Sequence, residues 1–127
     1  MNEQEICKEI THLHDDILAA GVIEKQQLVG RYIKDGMPQP DEERLRLIFA
    51  RPEIVFSILN TNEDYFGAVR YLIICSEKFD FIAFRYGADS ESRIFYVRTK
   101  RNYRAEAILQ KIYDYLERRA KGLRLER

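Results

Sequence analysis

The densest group of side chains suited to acid–base or metal chemistry comprises His12, His14, Asp15 and Asp16. In a helix, His12 and Asp16 stand four residues apart and share a face, a geometry that can hold zinc or manganese. Two ligands do not make a site, and the sequence has no HExxH, paired CxxC, phosphate-binding glycine loop or GxSxG motif. We therefore interpret the cluster as a solvated helix end, and predict a non-enzyme without catalytic residue, metal or cofactor.

A second candidate site is the basic segment RTKRNYRAEA, which places Arg98, Lys100, Arg101 and Arg104 around Tyr103. Such a group can grip phosphates and stack a base, contact an acidic protein partner, or simply be hydrated. Because 21 basic and 21 acidic residues cancel over the whole chain, nothing attracts it globally to nucleic acid or anionic membrane. Nucleic-acid binding through this basic patch is therefore an alternative and not the leading hypothesis.

The elements that must position these groups follow from apolar periodicity, which predicts helix, two strands, helix, three strands, helix. The first helix covers residues 3–18, and Gly30 in the second strand marks a bulge or a close backbone approach. Asp41 is the N-cap of a second helix, which Pro52 kinks or restarts. Residues 1–122 form a single α+β domain, with 123–127 as a frayed tail.

The three late strands carry few polar positions on either face. In the middle one, Phe81 and Ala83 alternate with Ile82 and Phe84, and the preceding strand, 65–76, is apolar without clean alternation. That pattern predicts that the strand is covered on both faces. The last helix, with its apolar stripe over residues 105–116, can cover only one of them. We therefore expect the second helix or a partner subunit on the opposite face.

The sequence also indicates in which cellular compartment the protein is found. No apolar run approaches the roughly 18 residues of a membrane span, and the polar N-terminus is not signal-like. Cys7 and Cys75 are expected to be small buried hydrophobes in a reducing environment. The expectation is a cytoplasmic protein without a membrane span.

Several segments stand in an order that resembles a known superfamily: ICKEITHLHDDILAAGVIE, QLVGRYIKDG, YFGAVRYLII, FDFIAFRYG and RIFYVRTK. Together they resemble the roadblock (dynein light chain) superfamily, a relative of the longin and profilin-like folds. The words CKEI, AAGVI and FGAVRYLII look closer still to an uncharacterised family of small archaeal proteins. The resemblance implies an α-β-β-α-β-β-β-α order, with a central antiparallel five-stranded sheet and helices on both faces.

The resemblance further implies a homodimer in which the second helix and an adjacent strand meet their symmetry mates. Relatives often serve as scaffolds or regulators for small Ras-like GTPases without catalysing chemistry. The interface candidates are Leu45, Ile48, Phe49, Ile54, Val55, Tyr65, Val69 and Tyr71. Pro52 interrupts the long second helix that roadblock proteins commonly have, which bears on this dimer surface.

The leading hypothesis is thus a non-enzymatic, homodimeric regulatory or scaffold module, with a small GTPase or another protein as partner. The first alternative is a profilin-like small-ligand sensor, in which Phe81, Phe84 and Tyr86 line a pocket. The second is nucleic-acid binding through the basic C-terminal end.

Overall fold

The computed structural model of the chain describes residues 2–25, 27–37, 41, 43–44, 55–56, 63–67, 69–86, 93–101 and 104–122. The elements are α1 (Glu3–Thr11), β1 (Ile17–Glu24), β2 (Gln27–Ile33), α2 (Glu63–Phe66), β3 (Tyr71–Cys75), β4 (Asp80–Tyr86), β5 (Arg93–Thr99) and α3 (Ala105–Ala120). The strands form one five-stranded antiparallel sheet in the order β2-β1-β5-β4-β3. The predicted α+β fold with a five-stranded antiparallel sheet is confirmed.

Helix α1 is shorter than the predicted 3–18 helix. The Asn2 side chain caps its start by accepting the N–H groups of Gln4 and Glu5, and His12 is its C-cap. Ile17, which fits the helical spacing, instead opens β1 opposite Thr99 and is fully buried. The longer helix was wrong because pairing with a strand distant in sequence outweighs local periodicity.

The β1–β2 hairpin confirms both readings of Gly30. The register shifts between Val22 and Ile23, opposite Gly30 and Leu28, which is a β-bulge. A Cβ atom added to Gly30 would lie 2.6 Å from the Cβ and 2.7 Å from the carbonyl carbon of Glu3. Only a glycine therefore lets the start of α1 pack this closely on β2.

Helices α1 and α3 bury one face of the sheet, which we call the first face. Its core combines apolar residues of both helices with inward positions of the central strands: Ile6, Cys7, Ile10, Ala20, Val22, Ile82, Phe84, Phe95, Val97, Ile108, Leu109, Ile112, Tyr115 and Leu116. The predicted stripe of α3 is buried as expected, and Gly122, at φ +76, follows its C-cap Lys121. None of the described helices is long and apolar enough to cross a membrane.

The two helices are also joined by a polar contact that the sequence did not reveal. The hydroxyl of buried Tyr115 donates a hydrogen bond to Glu9 Oε1, and Arg119 Nη1 lies 3.0 Å from the same oxygen. Burial and the bond to Glu9 raise the pKa of Tyr115. The spacing 108, 112, 115, 119 is a helical row that could have placed both residues on the buried side of α3.

The opposite, second face is closed over the central strands by this same chain. Phe56 is fully buried there, in one cluster with Ile23, Ala83, Ile94 and Tyr96. Residues 43–44 and 55–56 are helical, and the N–H of Arg44 donates to Asp41 Oδ1 at 2.8 Å, which confirms the predicted N-cap. The rest of the predicted second helix, including Pro52, lies outside the described residues. Because the centre of this face is buried within one chain, it gives no reason to expect a partner subunit.

The first long strand differs most from its prediction. The interval 65–76 divides into the helical turn α2, Gly67 at φ +83, and the short strand β3. Ile73 and Ile74 are each 41% exposed and Cys75 is exposed as well, so the strand is not covered on both faces. The predictions of a covered strand and a buried Cys75 were wrong because β3 is an edge strand, whereas Cys7 is buried as predicted.

Gly30→Ala should destabilise the fold by about 2 kcal/mol, because the new methyl group collides with α1 backbone that cannot move without disturbing the core. Chemical denaturation followed by circular dichroism measures the change. Gly36→Ala is the control: Gly36 has φ +85, and an added Cβ would lie within 4 Å of no described residue beyond its two chain neighbours, so only backbone strain of about 1 kcal/mol applies. A Gly30→Ala variant as stable as the parent would contradict the close approach.

Alkaline pH should destabilise the fold through Cys7. Burial, with a smaller contribution from Glu3, raises the pKa of its thiol from 9.0 to about 12. The unfolded chain releases this proton first, so stability is intact below pH 9 and is lost as pH rises toward 12, by at most about 1.4 kcal/mol per pH unit. Under reducing conditions, Cys7→Ala should show a flatter dependence of unfolding free energy on pH across this window. Parallel profiles for the two proteins would contradict the assignment.

Candidate interaction site at the free strand edge

Strand β3 is the last strand of the sheet, and no strand among the described residues pairs with its outer edge. The N–H of Ser76 donates to the carbonyl of Phe79 at 3.0 Å, which sets the phase of the β3–β4 ladder. In an antiparallel pair, hydrogen-bonded positions alternate, so Leu72 and Ile74 turn their backbone groups toward β4. Tyr71, Ile73 and Cys75 turn theirs outward, where no described group hydrogen-bonds them. This row is a template for another strand.

The opposite edge of the sheet is protected in two ways. The outward N–H of Arg31 on β2 donates to Gln4 Oε1 of α1 at 3.1 Å. The bulge leaves Val29 without a partner position on β1 and disturbs the regular ladder. The sheet therefore has one guarded edge at β2 and one open edge at β3.

Apolar side chains accompany the open edge on both faces. Ile73 points to the first face and Ile74 to the second, because their β4 partners, Ile82 and Phe81, lie on those faces. Sequence reasoning missed both isoleucines as interface candidates, since an apolar run in an edge strand looks the same as one in a central strand. Strand order is the information that separates the two cases.

The predicted interface residues are placed as follows. Tyr65, in α2, is 82% exposed, and Val55 is 37% exposed. Val69 and Tyr71 are half-buried, the first against the core of the second face and the second against that of the first face. Leu45, Ile48, Phe49 and Ile54 lie outside the described residues. The structure thus brings Tyr71 to the open edge itself and leaves Tyr65 exposed just ahead of it in the chain.

The predicted basic patch is divided among different partners. Arg98 stacks over the Phe79 ring at 5.0 Å, and burial lowers its pKa. Lys100 Nζ lies 3.9 Å from Asp16 Oδ1, while Arg101 and Arg104 are exposed. Two of the four cations are thus engaged within the chain, so the arrangement does not favour nucleic acid over simple hydration.

The sequence suggested that the histidine cluster lies on a helix. In the structure it does not. His12 only caps α1, and its Nδ1 lies 2.7 Å from the carbonyl of Lys8. The N–H of Asp16 donates to His14 Nδ1 at 3.0 Å. Within the described ranges, no three potential ligands come together around a common point. The predicted shared helix face of His12 and Asp16 was wrong because α1 ends at Thr11.

The pocket of the sensor alternative also fails geometrically. Phe81 belongs to the second face, where its ring lies 5.2 Å from that of Tyr96. Phe84 and Tyr86 belong to the first face, and Phe84 is fully buried against Phe95. Three aromatic residues on two sides of one sheet cannot line a common pocket.

The strand order, with the first and last helices on one face and Phe56 on the other, defines a roadblock-like α+β domain. The Roadblock/LC7 domain from Streptomyces avermitilis superposes with a TM-score of 0.68 at 12% identity, covering 92% of this chain and 93% of that one. MglB from Myxococcus xanthus gives a TM-score of 0.69 at 10% identity, covering 98% and 92%. An MglB structure with a tetrameric arrangement gives 0.68 at 14% identity, covering 94% and 82%.

These likenesses show the fold alone, because the identities are far below the level at which activity or partners carry over. No protein-family model matches the chain, and no curated protein matches it in sequence. The similarity to a family of small archaeal proteins is therefore not supported by any of these comparisons.

Hydrogen exchange should report the open edge directly. In dilute solution the amides of Ile73 and Cys75 should exchange much faster than those of Leu72 and Ile74, which bond to β4. Residue-resolved exchange measured by NMR tests this alternation. Uniform protection along β3 at every protein concentration would contradict an unpaired edge.

Proposed function

We propose that this protein is a non-catalytic, homodimeric regulatory or scaffold module, formed by antiparallel pairing of the β3 edges of two copies. One observation carries the proposal: β3 combines an unpaired backbone edge with Ile73 and Ile74, each 41% exposed. Proteins normally blunt such edges because they invite association. In the part of the chain that the structure describes, the β2 edge is protected by Gln4 and a bulge, and no group hydrogen-bonds the β3 edge.

The outward residues fix the pairing that fits best. Centring the two-fold axis on Ile73 sets it against Ile73 of the second copy, and sets Tyr71 against Cys75 of that copy. All three outward positions then join a ladder that continues the sheet into ten strands, twice the five of one chain. The exposed isoleucines gain cover on both faces at the same time.

Most of the remaining parts of the proposal rest on the resemblance. A small Ras-like GTPase is proposed as the partner because roadblock-like proteins often serve such GTPases. The tetrameric arrangement of one MglB structure is in keeping with self-association of this fold. An archaeal source is proposed from the resemblance to small archaeal proteins. A cytoplasmic location is proposed because the sequence has no apolar run long enough for a membrane span and because the buried Cys7 is a free thiol.

Ile73→Pro should convert the dimer into a folded monomer. Proline removes the outward N–H of Ile73 and its ring occupies the edge, whereas the bonds to β4 come from neighbouring residues. Dimer affinity should fall by about 100-fold, roughly 2.7 kcal/mol, while unfolding of the dilute monomer changes by less than about 1 kcal/mol. Light scattering after gel filtration gives the mass, and circular dichroism gives the stability.

Two controls accompany this variant. Ile73→Val keeps the N–H and a β-branched side chain, and should stay dimeric. Val29→Lys changes an exposed residue at the guarded β2 edge and should also stay dimeric. A monomeric parent at micromolar concentration, or a dimer lost through Val29→Lys instead of Ile73→Pro, would overturn the proposed seam. Pull-down of the Ras-like GTPases of the source organism with parent and Ile73→Pro proteins extends the test to the partner.

A further inference from the structure

The two long helices of the first face lie over different strands of the sheet. Helix α1 lies against β2, where Glu3 meets Gly30, and α3 lies over β4, where the Tyr113 ring meets that of Phe84 at 5.2 Å. Strand β3 lies at the border of this cover, because Tyr71 packs against the first-face core whereas Ile73 on the same face is 41% exposed.

This leaves an aromatic and aliphatic surface beside α3, which we call the α3–β3 shelf and define by Tyr71, Ile73, Tyr86 and Tyr113. The three tyrosines are half-buried, and Ile73 is 41% exposed. The rings of Tyr86 and Tyr113 lie 6.5 Å apart. Tyrosine side chains that are partly exposed to solvent in this way are typical of a surface that another chain covers.

The charge of α3 differs between its two flanks. Glu106, Gln110, Tyr113 and Glu117 follow a 4, 3, 4 spacing and so share the flank that borders the shelf. The hydroxyl of Tyr86 donates to Glu117 Oε1 at 3.3 Å, which fixes this orientation. Lys111 and Arg118 belong to the other flank by the same helical geometry.

Arg119 of α3 points toward α1, where it pairs with Glu9. Arg70 stacks on the Tyr71 ring at 5.8 Å and places one cation where β3 begins. Along α3 itself, the border of the shelf is acidic.

We propose that two shelves join across the β3 seam into one trough that binds a single amphipathic helix of a partner protein, with Lys or Arg along both sides of its apolar stripe. This inference rests on the proposed homodimer. The floor of the trough would be the two β3 strands, about 10 Å wide, which matches the width of one helix. The Ile73 side chains meet the apolar stripe, and Glu106 and Glu117 of both copies meet the cations.

The probe is a fluorescein-labelled peptide of about 18 residues, built from Leu and Lys with helical periodicity and about 27 Å long as a helix. A Leu/Glu peptide of the same pattern is its counterpart. Anisotropy should show binding of the Leu/Lys peptide at one per two chains, and much weaker binding of the Leu/Glu peptide. Glu106→Lys/Glu117→Lys should weaken binding at least about tenfold. Glu5→Lys/Asp35→Lys, an equal charge change at exposed residues away from the shelf, should not.

The mass of every sample is measured by light scattering, so that the two proposals fail separately. A monomeric parent overturns the dimer, and the trough with it, whatever the peptide does. A dimeric parent that does not bind the Leu/Lys peptide overturns the trough alone. So does one peptide per chain, or equal loss of affinity in the shelf and control variants.

Discussion

The position of the two long helices on the first face is the constraint on which the rest of the structure depends. Because Gly30 has no side chain, the start of α1 can lie almost on the backbone of β2, which fixes the helix layer at that side of the sheet. The bond from Tyr115 to Glu9 then holds α3 next to α1. Both contacts place the helices toward the β2 side of the sheet. Strand β3, at the far side, is only partly covered, because Tyr71 packs against the core and Ile73 stays 41% exposed.

The central strands are covered on both faces, unlike the edge strand β3. Residues of β1, β4 and β5 are buried on the first face by the two helices and on the second face around Phe56. The proposed association therefore uses one edge and not an uncovered sheet face. An edge supplies directional backbone bonds as well as apolar contact, and can thus specify a register as well as attract a partner.

The sequence alone determined the fold class, the stripe of α3 and the division of β4 and β5 between two faces. These features are encoded by neighbours along the chain, because a helix or strand places side chains at fixed intervals. The roles of Gly30, Asp41 and Gly122 could also be predicted from the sequence, since each meets a local requirement of the backbone. The interface candidates named from the sequence and its family resemblance included Tyr65 and Tyr71 but not Ile73 and Ile74, which the structure leaves exposed.

Tertiary structure alone decided where α1 ends, which strand lies at the edge, and which cations are already engaged. Ile17 fits a helix equally well until Thr99, far along the chain, offers it a strand partner. The same run of apolar residues is buried in a central strand and exposed in a terminal one. Likewise, only the fold shows that the Arg98 guanidinium stacks over the Phe79 ring. Such outcomes depend on contacts between distant segments, which no local spacing records.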